Sequence, residues 1–535
     1  MMCRPAVMRR HARCLGILLC GFIAHSQAQS QPQATPAVAS VFVTSFNLVG
    51  ADALPPGLLD PYLSEHTMQK KTLVELRKLA AQLEKQLQTQ HGLSSAKVWV
   101  PLQEDKLGVV DLRVLPGQIR QVRLARPAAS DRETRALALL ADQFKPGSLL
   151  EQDALERTSL ALSKLLGETP RLTLAPSATI GQYDLVLEPV QLEKYSLSTS
   201  LDNLGSRYTN VTRDKTQLQI RNNLFNADVL SFAAQLLTPN QKVLQTRYDV
   251  PLGLSDFKLG ISNLSARYQL VDAYASLQAK GDSHITGVDL SNHLIRSPNL
   301  SLTLRAEAQT KRIRSLQAGV PTADRRIHSF NLGLFGDGPA LGGTRSGNLV
   351  LTTGHVDMSL VARDVVNDTA RIAGSYQKLT ARGEQSVAMG SGQRAQVNLS
   401  VQRARKNLDS TESMLIGGIS GVRAYPIGEA AADMGAVFNL ELHHRWNEQW
   451  RGLLFYDQGW ATIRQSIVRG ATTANNYILN GAGFSVVWSP TPSTEIAMMP
   501  AWKLRTNPAA DTTTGADSDG RASKMRLWLF ATQQF

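Results

Sequence analysis

The sequence has no cysteine after residue 20, because Cys3, Cys14 and Cys20 all lie in its N-terminal segment. If that segment is removed during secretion, the mature chain has no thiol. This excludes thiol catalysis and metal sites built from cysteine. A lipoprotein would need a cysteine at the cleavage site, and the sequence has none there.

Long apolar runs and clustered basic residues are also missing after the N-terminal segment. No run approaches the ~18 apolar residues of a membrane-spanning helix. The formal net charge of +13 falls to +9 without the four arginines of that segment, and the remaining Lys and Arg residues are dispersed. Because there is no basic stripe with interleaved aromatic residues, we expect no nucleic-acid partner.

Signatures of catalysis are missing too. The chain contains no phosphate-binding loop with its lysine and no Gly-x-Ser-x-Gly elbow. The pair His443-His444 lacks the glutamate and the spacing of a zinc-protease helix. We therefore expect neither an enzyme nor a cofactor or metal site.

Residues 1–28 predict a secretory signal peptide. Four arginines and no acidic residue lie in 1–13, an apolar run covers 14–24, and Ser26-Gln27-Ala28 offers a cleavage site before Gln29. A basic start, a short apolar centre and a small-residue exit are typical of such peptides. The alternative is a buried N-terminal helix. Residues 29–39 form a short polar linker.

Two successive units, 40–116 and 117–190, have the same predicted order: strand, helix, helix, strand, strand. The strongest helical pattern is the recurrence of leucine from Leu73 to Leu87. The expected elements lie at 41–48, 58–63, 71–90, 96–100 and 107–115, and then at 119–124, 132–144, 149–166, 171–174 and 183–187. The sequence therefore predicts two tandem α+β domains.

After Glu193 the helical periodicity gives way to alternation of apolar and polar residues, as at Leu300, Leu302 and Leu304. Such segments, separated by Gly, Asn, Asp and Pro clusters, continue through 191–535 and favour a membrane β-barrel. The alternative is a large soluble β-sandwich or propeller. The last strand ends on Phe535, which resembles the assembly signal of outer-membrane barrels. It implies that the barrel-assembly machinery is a partner during biogenesis and that lipids of the outer membrane surround the barrel.

Residues 416–426, Ile-Gly-Gly-Ile-Ser-Gly-Val-Arg-Ala-Tyr-Pro, carry a more specific resemblance. They look like the sixth-loop signature of two-partner secretion transporters, the ShlB/FhaC/HecB haemolysin secretion/activation proteins. Further runs at 201–209, 223–228 and 248–253 resemble the family in the same order. The resemblance implies two polypeptide-transport-associated (POTRA) domains before a barrel of 16 strands.

After the Arg423 loop we expect strands at 436–446, 450–461, 476–488, 493–504 and 524–535. If the last of them is the sixteenth strand that the resemblance implies, the loop joins barrel strands 11 and 12. This makes it the sixth outer loop, as in the family.

The resemblance implies a contact inside the barrel between this loop and the wall. The loop motif is Val422-Arg423-Ala424-Tyr425, and the expected wall partner is Asp457 in the run Phe455-Tyr456-Asp457. A guanidinium can hold a carboxylate with two hydrogen bonds, which a lysine cannot. The alternatives are an exposed loop arginine and a solvated carboxylate. Ala424 replaces the usual glycine, which would add strain if the tip needed a positive φ.

The resemblance implies a transporter in the outer membrane of a Gram-negative bacterium, with its POTRA domains in the periplasm. These domains would capture an unfolded partner exoprotein by pairing with an exposed strand edge, and export would need no ATP. The candidate edge residues are Ala96, Val98 and Val100 in the first unit and Leu172 and Leu174 in the second. The alternatives are a barrel-assembly insertase of the same superfamily and a structural or adhesive surface barrel.

Overall fold

The computed structural model describes residues 40–104, 107–128, 130–166, 170–188, 193–225, 227–253, 255–297, 299–468 and 474–535. The predicted signal peptide, its cleavage site and the linker 29–39 lie outside these residues. The predicted boundary between the second α+β domain and the barrel, at residue 190, also lies outside them.

The first unit is an α+β domain with one main sheet. Its elements are β1 (Ser40–Val43), β2 (Ser45–Val49), α1 (Asp60–Ser64), β3 (Gln69–Thr72), α2 (Leu73–Thr89), β4 (Lys97–Trp99) and β5 (Val109–Leu115). In the main sheet β5 lies between β2, which is parallel to it, and β4, which is antiparallel. Apart from β1 and β3, this is the predicted order of elements.

One expectation for this unit was wrong: the single strand at 41–48 is two strands. The chain changes partners at Thr44, whose backbone N–H donates to the Gly108 carbonyl at 2.8 Å. Before this point β1 pairs with β3, and after it β2 pairs with β5. The sequence did not predict β3 because Gln69-Lys70-Lys71-Thr72 has no apolar alternation.

Helix α2 begins two residues later than expected because Thr72 caps it. The Thr72 hydroxyl accepts from the Glu75 backbone N–H, and the Glu75 carboxylate accepts from the Thr72 backbone N–H. This reciprocal capping box satisfies two backbone donors that the first helical turn leaves free. Leu76, Leu83 and Leu87 then face the core at 5% exposure or less.

The second unit has the predicted order without additions. Its elements are β6 (Gln118–Leu124), α3 (Asp131–Gln143), α4 (Gln152–Leu166), β7 (Arg171–Pro176) and β8 (Gln182–Glu188). The central strand β8 is parallel to β6 and antiparallel to β7. Ile119, Leu140, Leu162, Leu185 and Leu187 are fully buried between the sheet and the two helices. Two α+β domains of the POTRA type therefore precede the barrel, as predicted, and the first adds β1 and β3 to the β-α-α-β-β order.

Among the described residues, sixteen antiparallel strands close into a barrel, in which β26 pairs with β9. They are β9 (Tyr195–Asp202), β10 (Arg213–Arg221), β11 (Val229–Gln235), β12 (Gln241–Pro251), β13 (Phe257–Gln269), β14 (Lys280–Ser297), β15 (Leu300–Gln317), β16 (Val320–Ala340), β17 (Gly343–Asp357), β18 (Gly374–Gly390), β19 (Gln393–Ala404), β22 (Met434–Arg445), β23 (Trp450–Thr462), β24 (Asn476–Thr491), β25 (Thr494–Lys503) and β26 (Met525–Gln534). The short pair β20 (Met414–Leu415) and β21 (Ala431–Ala432), the helix α5 (Ala362–Val366) and a 3-10 helix (Asp272–Leu277) lie in the connections.

The strand count and the place of the Arg423 loop are confirmed. Residues 405–433 join the eleventh strand, β19, to the twelfth, β22, and Asp457 lies on the thirteenth, β23. Neighbouring side chains of a strand point to opposite faces of the wall. On β26, for example, Leu527 and Leu529 are exposed on the outer face, whereas Trp528 between them is buried inside.

No helix in the described part of the chain combines the length and the apolar character needed to cross a bilayer.

Candidate functional site: a loop folded into the barrel lumen

Most residues of the connection 405–433 are buried or half-buried, although it is a loop between two strands. Residues of its tip have no exposed surface and pack with inward-facing residues of the wall. The tip residues are Ile416, Val422, Ala424 and Tyr425, and their wall neighbours include Val437, Phe455, Leu479, Ala501 and Trp528. The loop therefore lies inside the lumen, against the wall formed by β22 to β26.

The tip is a compact turn that depends on a close approach of the backbone. The Val422 backbone N–H donates to the Ile416 carbonyl at 2.8 Å. A Cβ on Gly421 would lie only 2.1 Å from that carbonyl oxygen, so no other residue fits there without moving the chain. This turn places Arg423 on the side of the loop that faces β22 and β23.

Arg423 binds two carboxylates of the wall. Its Nη2 lies 2.6 Å from Asp457 Oδ1, its Nε 2.9 Å from Asp457 Oδ2, and its Nη1 2.7 Å from Glu441 Oε1. The Arg423 backbone N–H also donates to Asp457 at 3.0 Å. The guanidinium lies 3.8 Å from the centre of the Phe455 ring, a cation–π contact. These contacts hold both the side chain and the main chain of the tip.

Asp457 is fully buried, and the Arg423 side chain is 6% exposed. Asn439 adds a neutral donor, because its Nδ2 lies 2.7 Å from Asp457 Oδ1 and 3.0 Å from the Gly421 carbonyl. Removing one partner of a buried ion pair costs about 3–5 kcal/mol, because the other charge is left without compensation. The ion pair therefore holds the loop tip strongly against the barrel wall.

The sequence did not predict the roles of Asn439, Glu441 and Trp528. Asn439 is paired directly with Asp457 across β22 and β23, and Glu441 is paired with Phe455. Residues two apart on a strand share a face, so the signal for this group was present in the alternation. Trp528 donates its indole N–H to the Arg423 carbonyl at 2.8 Å, and no pattern in the sequence indicates this contact.

Ala424 does not carry the strain considered for it. It is absent from the described non-glycine residues with positive φ, so the tip does not need a glycine for its backbone at this position. A Cβ on Gly481 of β24 would lie 2.6 Å from the Ala424 Cβ. The missing side chain at Gly481 thus leaves the space that the Ala424 methyl group fills.

Tyr425 connects the loop to the end of β25 and the connection that follows it. It is fully buried, and its hydroxyl donates to the Arg505 carbonyl at 2.9 Å. Lys503 Nζ lies 5.3 Å from the centre of its ring. The four residues of the motif thus have separate contacts, with Val422 and Ala424 packing and Arg423 and Tyr425 forming hydrogen bonds.

The candidate edge residues lie in or beside edge strands of the two α+β sheets, β4 and β7. Ala96 and Val98 point into the core, and only Val100 is partly open. The Val98 backbone N–H already donates to the Glu84 carboxylate at 3.2 Å, so the edge of β4 is partly occupied. On β7, Leu172 packs against the core and Leu174 is 37% exposed.

Phe535 follows the last strand and is 69% exposed, and its backbone N–H donates to the Leu197 carbonyl at 2.8 Å. Within the described residues, no group of three or more His, Cys, Asp or Glu side chains is arranged to hold a metal ion.

Comparison with known proteins identifies the family. A family model described as haemolysin secretion/activation protein ShlB/FhaC/HecB matches residues 181–485, which is more than half of the chain. The chain belongs to this family. The sequence-based prediction of a two-partner secretion transporter is thereby confirmed.

Individual relatives of this ShlB/FhaC/HecB protein are distant in sequence. A heme/hemopexin transporter protein, HuxB, of Haemophilus influenzae strain 86-028NP is 24% identical over 493 residues, which cover 88% of this chain and 83% of that protein. The solved structure of CdiB from Escherichia coli has a TM-score of 0.65 at 16% identity and covers 95% of this chain and 93% of CdiB. CdiB from Acinetobacter baumannii has a TM-score of 0.60 at 16% identity and covers 93% and 90%. The two structures support the fold.

Proposed function

We propose that this protein is the outer-membrane translocator of a two-partner secretion system and exports a partner exoprotein. The observation that carries the proposal is the buried contact of Arg423 with Asp457 inside a closed barrel. This contact joins a loop to the barrel wall, and loops are the elements of a fold that can move most readily. Membership of a family of secretion proteins supports the same function.

The lumen loop is suited to act as a gate. A cavity of about 540 Å³ lies beside it, bordered by Arg423 and Glu441 and by polar residues of the nearby strands β17 and β18, such as Asn348, Arg382 and Glu384. A chain longer than this space can hold needs the loop to move aside. Ion pairs and hydrogen bonds are suited to such a movement, because water can replace them once the lumen opens.

We further propose that the two α+β domains lie in the periplasm and capture the unfolded exoprotein by strand addition. The edge of β7 is the better candidate, since the Glu84 carboxylate already occupies a backbone donor of β4. Residues 1–28 would direct the chain to this compartment as a signal peptide. The barrel-assembly machinery would insert the barrel, with Phe535 as part of its signal.

Export would need no nucleotide at this membrane, and folding of the exoprotein outside the cell would supply its direction. In this scheme the protein binds and conducts a polypeptide and has no catalytic group. The partner is defined by its chemistry: an extended chain whose backbone can pair with a sheet edge.

The proposal is tested by comparing the culture medium of the native host with and without the gene. We expect one large protein to disappear from the medium, to return on complementation, and other outer-membrane barrels to remain at normal levels. An unchanged medium with depleted outer-membrane barrels would overturn the export function and favour an assembly role.

A further inference from the structure

A second charged cluster, separate from the Arg423 site, holds the part of the lumen loop 405–433 around Glu412, which is the first limb of this loop. The Glu412 carboxylate lies 2.6 Å from Lys311 Nζ and 2.9 Å from Lys378 Nζ. All three side chains are largely buried, with exposures of 3% for Glu412, 12% for Lys311 and 13% for Lys378. The contact of Arg423 with Asp457 does not involve any of them.

The main chain at Glu412 is held as well. Its carbonyl accepts from Lys378 Nζ at 2.8 Å and from Gln402 Nε2 at 3.1 Å. Both the position and the orientation of the loop at this residue are therefore fixed by side chains of the wall. This buried ion pair with added hydrogen bonds differs from an exposed surface ion pair, which contributes little to stability.

The two clusters lie on different parts of the wall. Lys311 is on β15, Lys378 on β18 and Gln402 on β19, which are barrel strands 7, 10 and 11. Asp457 and Glu441, which bind Arg423, are on strands 13 and 12. The loop thus reaches from one part of the lumen wall at Glu412 to another at Arg423.

The charge balance makes Glu412 the essential member of its cluster. Without its carboxylate, two buried ammonium groups would face each other without an anion, which low-dielectric surroundings penalise strongly. The nearby Asp409 does not replace it, because its carboxylate pairs with Arg325 at 2.7 Å.

We propose that Glu412 is a positioning residue that forms a second latch, independent of Arg423. Release of the tip at Arg423 leaves the limb at Glu412 docked, so the gate opens as a hinged flap and the loop does not leave the lumen as a whole. The inference deepens the proposed function, on which its role in gating rests, but the latch itself is measurable without any exoprotein.

The test uses single cysteines in the full-length protein in intact outer membranes. Ser413→Cys reports on the limb next to Glu412, and Val422→Cys, at a fully buried position, reports on the tip. The native cysteines all precede residue 21, and the parent chain without an added cysteine measures the background. Labelling rates with a membrane-impermeant maleimide are compared for Glu412→Gln, Arg423→Ala and the unmodified loop.

We expect Glu412→Gln to raise labelling of Ser413→Cys about tenfold, which corresponds to about 1.4 kcal/mol of lost anchoring. Labelling of Val422→Cys should change less than about twofold in the same variant. Arg423→Ala should give the reverse pattern. Glu412→Asp, which keeps the charge, should stay close to the parent chain.

Equal increases at both cysteines in both variants would overturn the proposal, because they would mean one cooperative latch. No change at Ser413→Cys in Glu412→Gln would overturn it as well. Heat-modifiable gel mobility checks that the barrel is folded. If Glu412→Gln does not fold, Lys378→Gln takes its place, because it leaves one carboxylate with one ammonium group. We expect it to raise the labelling rate of Ser413→Cys by a smaller factor and to leave the tip cysteine unchanged. An unchanged labelling rate of Ser413→Cys would contradict the latch. Because the labelling needs no exoprotein, loss of secretion with the expected labelling pattern would contradict only the proposed function.

Discussion

Replacing Asp457 by asparagine keeps the size of the side chain and removes the charge that holds the loop tip. Asp457 accepts from the Arg423 side chain, the Arg423 backbone and Asn439, and it is fully buried. Breaking a buried pair costs about 3–5 kcal/mol. Arg423 keeps Glu441 at 2.7 Å and its contact with Phe455, so we expect a smaller loss. A value of about 2–3 kcal/mol corresponds to about a 30- to 150-fold larger undocked population of the tip.

The assay is maleimide labelling of Val422→Cys, which is fully buried in the docked tip, in the full-length protein. It is combined with the conductance of the purified protein in planar bilayers. Asp289→Asn is the matched control, since Asp289 on β14 is also a buried wall carboxylate but pairs with Arg247 on β12 and Arg305 on β15. We expect faster labelling and more frequent large openings for Asp457→Asn only. Similar behaviour of the two variants would refute the assignment of Asp457 as the partner that holds the tip.

Arg423→Lys should undock the tip nearly as much as Arg423→Ala in the labelling assay, because lysine cannot form the two parallel bonds to Asp457; labelling equal to the parent chain would show that charge alone is sufficient. Gly481→Ala should increase labelling at Val422→Cys because its Cβ would lie 2.6 Å from that of Ala424, and Ala424→Gly in the same chain should restore the parent rate; failure of this rescue would contradict the packing. The hydrogen bonds and charge of Arg120 hold the pKa of Asp184 well below its usual range, so its stabilising contribution is present above the unfolded-state value of about 4 and is lost as pH falls through the lower folded-state pKa. Asp184→Asn should therefore increase hydrogen exchange in β6 and β8 at pH 7 in the full chain, with the difference from the parent shrinking only in strong acid; no difference at pH 7 would contradict the role of this pair.

The order of elements and the barrel could be predicted because both depend on periodicity. Leucines from Leu76 to Leu87 repeat at helical spacing, and alternation marks the strands around Leu527 and Leu529. Counting strands back from Phe535 placed the Arg423 loop between strands 11 and 12 once the resemblance had supplied the total of 16. The strand β3 was not predicted because its four residues are polar. The break between β1 and β2 at Thr44 was not predicted because it depends on a distant partner, Gly108.

The candidate site was predictable only where a motif marks it. Arg423 and Asp457 came from the resemblance to the family, whereas Trp528 lies more than a hundred residues from Arg423 in the chain and binds its carbonyl through the closed barrel. The cluster of Glu412, Lys311 and Lys378 was not predicted for the same reason, since its members come from three separate segments. Contacts across a lumen depend on barrel closure, which local sequence does not encode.

Passage of a partner protein through this barrel is tested most directly by cross-linking of an exoprotein that is stalled during export. The stalled chain would be probed with a photoreactive reagent attached to Ser420→Cys in the lumen or to Leu529→Cys on the outer face of β26. We predict cross-links to the exoprotein from position 420 and none from position 529. Equal cross-linking from the two positions, or none from either while the exoprotein still reaches the medium, would contradict passage through the lumen.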